Sequence, residues 1–282
     1  MNHHNKVPLI PNSIFTNSNF IYAMTEIKPI RLVLKDASVL NPPDDTPLSA
    51  RFSKLAAAVN SAYRERFGAG GNLGANDAIA LVAAVSEFIE VSERLDFEYG
   101  TDSVLPLEDA GEAADEALRA STELDSWLDR FDLTAHRSEL HAVILGIGIW
   151  AMRHELPIQT TEAIVNALAT RSNEAQSKQE TAAAYALMQG FIIHLAPQLK
   201  ADLERSNPER PWRMLNLNFA ITAIRSGDAA LMRYAFDTLN AHLPDERAGF
   251  YEEACTVALQ PGFPLDIKAL IEAEHAKWAR LH

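Results

Sequence analysis

Apolar side chains return every three or four positions through most of this chain, the period of a helix that buries one face. Leu48, Phe52, Leu55, Val59 and Tyr63 form the first series, with Thr46 read as its N-cap, Pro47 as its first-turn proline and Gly68-Ala69-Gly70-Gly71 as its stop. Asn76 or Asp77 opens a second, in which Leu81, Val82, Val85, Phe88 and Ile89 share one face, and Gly100 ends it. A third helix is expected from about Pro106 to Phe131, a fourth from Thr134 to His154, and a fifth from Thr160 to Arg171. A sixth begins near Glu174, and Pro197 is expected to kink or divide it.

The last third is the most regular. Asn207-Pro208 is read as the start of a helix that stops at Gly227, Asp228 as the cap of the next, which stops before Pro244. Asp245 opens another that ends near Pro261-Gly262, and Pro264 introduces a terminal helix through Leu281. Short connections force neighbouring helices to run antiparallel. The expectation is an all-α chain of about ten helices in antiparallel hairpins, arranged as a curved stack. Only Ile30–Lys35 (IRLVLK) reads as extended, within a Pro- and Asn-rich arm over residues 1–45. Residues 46–282 are read as one helical domain with a candidate sub-boundary near 155–160, and residues 1–23 as an extension ahead of Met24.

Within the fourth helix, Ala142–Met152 is an unbroken apolar run that contains Gly146 and Gly148. Each glycine costs a helix about 1 kcal/mol relative to alanine. That cost predicts that another helix crosses closely there, with Ile144, Ile147 and Trp150 packed around it. The run is too short to span a bilayer, which needs about 20 residues.

Composition narrows the picture. The chain has 282 residues, 48% of them hydrophobic, and a formal charge of −13. Phosphate binding needs clustered Lys and Arg, so nucleic acid is not an expected partner, and neither is a membrane. The single cysteine, Cys255, excludes an internal disulfide framework and multi-cysteine zinc sites. No signal-peptide pattern precedes Met24, and a cytoplasmic location is the expectation.

Charge is distributed unevenly. Residues 90–132 hold fourteen acidic residues and three basic ones, Arg94, Arg119 and Arg130. On the third helix, Glu108, Asp109, Glu112, Asp115 and Glu116 precede a spine of Leu118, Leu124, Trp127, Leu128 and Phe131. Such a concentration is either a solvated face or a surface that steers a basic partner. Arg210, Trp212 and Arg213 place an aromatic between two arginines near a helix start, the composition of a binding anchor or of an interhelical wedge.

Motifs for chemistry are weak. Asp96, Glu98, Gly100 and Asp102 fail as a calcium loop, since Thr101 and Leu107 stand where a glycine and a bidentate Glu are needed. Glu272 and His275 form a lone Glu-x-x-His, and His136, Glu139 and His141 are spaced to splay around a helix. Gly68–Gly74 (GAGGNLG) follows a helix and lacks the lysine of a phosphate loop. Cys255 lies among carboxylates that oppose thiolate formation. No catalytic residue, metal or cofactor is expected.

Gly227-Asp228, Phe236 and Pro244 fall at spacings that resemble one tetratricopeptide unit over residues 211–244, although Met232 and Leu239 stand where that family has small residues. Ala151-Met152-Arg153 aligns loosely with Ala223-Ile224-Arg225 as a second hairpin. The run Ala230–Phe236 (ALMRYAF) is similar to one in an uncharacterised all-helical family of proteobacterial proteins. Helical hairpins imply a module that binds another protein or peptide. The alternative is an all-α enzyme or small-molecule binder with an interhelical pocket, and a third reading is self-association into a homo-oligomer.

Overall fold

The computed structural model describes residues 47–68, 77–101, 103–105, 109–200, 211–259 and 263–278, with 196–200 as backbone alone. The described residues form ten α-helices and no strand. They are α1 (Leu48–Phe67), α2 (Ala78–Tyr99), α3 (Ala110–Arg130), α4 (Arg137–Arg153), α5 (Thr161–Glu174), α6 (Lys178–Lys200), α7 (Pro211–Ser226), α8 (Ala229–His242), α9 (Arg247–Ala258) and α10 (Leu265–Trp278). A 3-10 turn, Thr134–His136, leads into α4. The extended reading of Ile30–Lys35 falls outside the described residues.

Local chemistry accounts for many boundaries. Asp77 caps α2 by accepting from the Ile79 amide, and Asp228 caps α8 by accepting from Ala230 and Leu231. Gly227, at φ +66°, makes the left-handed turn between α7 and α8. Pro47 occupies the N-cap of α1 itself, so the helix begins one residue later than the sequence pattern suggests. Ser177 and Glu180 form a capping box for α6: the Ser177 hydroxyl accepts from the Glu180 amide and the Glu180 carboxylate accepts from the Ser177 amide. These amide bonds, first of all that from Gln176, hold the Glu180 carboxyl below its ordinary range.

Among the boundaries that differ from expectation, two have tertiary reasons. Helix α5 continues to Glu174, and its last carbonyls are held by the Arg225 guanidinium of α7, which donates to the carbonyls of Ser172, Asn173 and Ala175. Helix α6 runs through position 197 undivided. A proline in the last turn removes one hydrogen bond from a helix already held along its length by α5 and α7.

The hairpins follow one another in chain order. In addition α1 packs against both α2 and α4, and α3 against both as well, so the first four helices close into an antiparallel bundle. At one end of it the Tyr63 hydroxyl of α1 donates to Asp77 before α2, and Arg66 donates to the Arg130 carbonyl of α3. Beyond the bundle, α5 packs on α4, α6 and α7, α7 on α6 and α8, and α10 on α9 and α8.

The close crossing at α4 is present. A Cβ on Gly146 would stand 2.8 Å from the Leu48 methyls of α1, and one on Gly148 would stand 2.9 Å from Ile164 of α5 and Phe191 of α6. Ile144, Ile147 and Trp150 are buried around it. Buried apolar side chains of every helix belong to one contiguous core.

Candidate functional site

The acidic segment spans α2, α3 and the connection between them. On α2 the core face is Leu81, Val82, Val85, Phe88, Ile89, Ser92 and Leu95. Glu87, Glu90, Glu93, Arg94, Phe97 and Glu98 are exposed on the other side. On α3 a seam of Ala110, Gly111, Ala114, Ala117, Leu118 and Ser121 faces inward, while Asp109, Glu112, Glu116, Arg119 and Glu123 are exposed. The two helices are antiparallel neighbours, so the end of α2 and the start of α3 lie at the same end of the bundle.

That end is built around a buried histidine. His154, which follows α4, is fully enclosed. Its Nδ1 donates to the Ser103 carbonyl at 2.6 Å, and its Nε2 lies 2.8 Å from Asp96 Oδ1. The Trp150 indole donates to the same Asp96 oxygen at 3.0 Å, with its ring edge-on to Phe88 at 5.2 Å. Both imidazole nitrogens are thereby occupied by the fold, and neither is left to move a proton for a substrate. The group anchors the end of α2 and residue 103 onto α4. On the outside of this anchor, Phe97 is 92% exposed, Val104 64% and Tyr99 42%. Three large apolar side chains within eight residues stand in water at the end of the bundle where Glu93, Glu98, Asp109 and Glu112 are also exposed.

The sequence-predicted site residues divide sharply. Asp109, Glu112 and Glu116 are exposed, and Glu116 pairs with Arg119 at 2.7 Å on the helix surface. Asp115 is not a surface residue. It is buried, and its carboxylate accepts from the backbone amides of Gln159 and Thr160 at 2.6 to 3.0 Å, stitching α3 to the start of α5. One signal was available: Asp115 lies four residues after Gly111 and three before Leu118, on the inward stripe of α3. Glu108 and Arg210 fall outside the described residues.

Trp212 is likewise enclosed, 4.7 Å from the His242 ring, so it acts as a wedge between α7 and α8 and is no exposed anchor. Arg213 makes a two-pronged pair with Glu246 at 2.6 and 3.0 Å. Trp212 and Arg213 fail as an exposed surface for one reason: α7 is buried on nearly every side, down to Asn216, Asn218 and Thr222.

Elsewhere in the acidic segment, Arg137 bridges Asp125 at 2.6 Å and Asp129 at 2.9 Å. Asp96, Asp115, Asp125 and Asp129 therefore serve the fold. Among the described residues Glu90, Glu93, Glu98, Asp109, Glu112 and Glu123 make no ion pair.

Of the residues weighed for chemistry, Asp102 and most of Gly68–Gly74 fall outside the described residues, and His136, Glu139 and His141 each bury a polar atom without a hydrogen-bond partner. His141 is partly buried, and desolvation lowers its pKa. Burial, and then Glu272, pushes the Cys255 thiol up. Glu272 lies 3.7 Å from Lys268. Among the described residues no group of three His, Cys, Asp or Glu side chains could hold a metal ion, and no helix is long and apolar enough to cross a membrane. No family model, curated protein or solved structure matches the chain.

Proposed function

We propose that the chain is a protein-interaction module whose α2–α3 end binds a basic, apolar-bearing segment of a partner. One observation carries this: four carboxylates with no ion-pair role in the fold, Glu93, Glu98, Asp109 and Glu112, share an end of the bundle with three exposed large apolar side chains. Carboxylates at this density raise the local potential and steer cations, and the apolar groups supply the contact that water exclusion rewards. The His154 anchor favours a pre-formed docking surface, since it fixes both flanks of the connection before a partner arrives. The helical hairpins, including the tetratricopeptide-like one over 211–244, supply a rigid support in this reading.

The test is fluorescence anisotropy of a labelled peptide of alternating Lys and Leu against the full chain. Binding is expected to weaken at least fivefold between 50 and 300 mM NaCl, and to fall at least tenfold in the quadruple variant E93Q/E98Q/D109N/E112Q. Equal binding by that variant, or salt-independent binding, overturns the proposal.

A further inference from the structure

We infer that the α2–α3 end is occupied in cis by residues Ile27–Lys35 of this same chain, a built-in competitor for the partner segment. The inference rests on the interaction reading above and adds an occupant to it. Three observations carry it.

The first is complementarity. Ile27–Lys35 (IKPIRLVLK) holds Lys28, Arg31 and Lys35, no acidic residue, and Ile27, Ile30, Leu32, Val33 and Leu34. It is a basic and apolar tract in a chain of net charge −13. The patch offers the opposite: Phe97, Tyr99 and Val104 for aliphatic side chains, with Glu93, Glu98, Asp109 and Glu112 for the cations.

The second is the place where the described chain begins. Helices α1 and α2 are an antiparallel pair, joined at one end by Tyr63 and Asp77. The start of α1 therefore lies at the opposite end, where α2 stops. Leu48 meets α4 at Gly146, and α4 leads to His154, which holds Asp96 and Ser103.

The third is reach. Residues Asp36–Thr46 connect the basic tract to α1, and eleven extended residues span at most about 36–40 Å. That exceeds the length of α1 itself, about 30 Å for twenty residues, and the patch is at the near end. A tether of this size gives a local concentration on the order of millimolar, enough for a weak contact to compete with a free partner.

The experiment uses the full chain with the photo-crosslinker p-benzoylphenylalanine in place of Phe97. Irradiation is expected to join position 97 to residues 27–35 within one chain, identified by mass spectrometry, and the yield is expected to fall at least fivefold in K28Q/R31Q/K35Q. In parallel, the Lys-Leu peptide is titrated into the natural sequence and into L32S/L34S, which leaves the charge unchanged. At least fivefold tighter binding to L32S/L34S is expected. Cross-links that land elsewhere or join two copies, or equal peptide affinity for the two chains, overturn the occupant while the basic-segment reading stands. Failure of the peptide to bind L32S/L34S overturns that reading, and the occupant with it.

Discussion

His154 and Asp96 stand 58 residues apart in the chain and 2.8 Å apart in the fold. The contact joins the C-terminal ends of α4 and α2, and through the Ser103 carbonyl it also holds the connection that leads to α3. It makes one end of the four-helix bundle a fixed support, on whose outer side Phe97, Tyr99 and Val104 remain in water.

Removing the imidazole should unfasten that support. His154→Ala leaves the Ser103 carbonyl without its donor and Asp96 with the Trp150 indole alone, and a loss of about 2–3 kcal/mol is expected. Urea unfolding measures it. Amide exchange at residues 96–105 should quicken more than at the centre of α4. Uniform quickening would show that the histidine is an ordinary core residue.

The two acidic roles on α3 can be separated by paired substitutions. Asp115→Ala orphans the amides of Gln159 and Thr160 and should cost about 1.5–3 kcal/mol. Glu112→Ala, on the exposed face, should change stability by less than about 0.5 kcal/mol. The same urea titrations check both, and equal costs would mean that Asp115 is not the stitch described.

The glycines of α4 should behave differently from each other. At Gly148 a methyl group meets Ile164 and Phe191, both fully buried, and Gly148→Ala should cost about 1–3 kcal/mol. At Gly146 the obstacle is the far end of Leu48, a half-buried side chain in the first turn of α1 that can turn aside. The gain in helix propensity then offsets the crowding, so Gly146→Ala should lie within about 1 kcal/mol of zero. Thermal unfolding of both variants tests the contrast.

Acid should weaken the fold partly through His194. Its Nε2 donates to the Leu156 carbonyl at 2.8 Å, and burial lowers its pKa against the smaller opposing effects of that bond and of Glu155. The unfolded chain, with a histidine near pH 6.5, binds the proton more readily than the folded one. Stability is thus fully present above about pH 6.5 and is lost as pH falls through the lower folded value. His141, lowered by desolvation, acts in the same direction. His194→Gln keeps a donor for Leu156 without titrating, so its melting temperature should fall less between pH 7.5 and 5.5 than that of the natural chain.

Local chemistry was readable wherever the cause lies within a few residues. Asp77 and Asp228 as caps, Gly100 and Gly227 as stops, the inward stripes of α1 and α2, and the close crossing at Gly146 and Gly148 all follow from residue type and period. Helical period shows which face is turned inward, but not what it is turned against. The period places Asp115 on the inward stripe of α3 and Glu112 off it but does not give the Gln159 and Thr160 amides that Asp115 holds, and it leaves Trp212, flanked by arginines, open between anchor and wedge, which α8 decides by covering it. The extra turn of α5 belongs to Arg225, fifty residues later, and the histidine support to partners on two other segments. A side chain's charge and size are properties of the residue; its free energy depends on whether distant backbone or water satisfies it, and only the packed chain decides that.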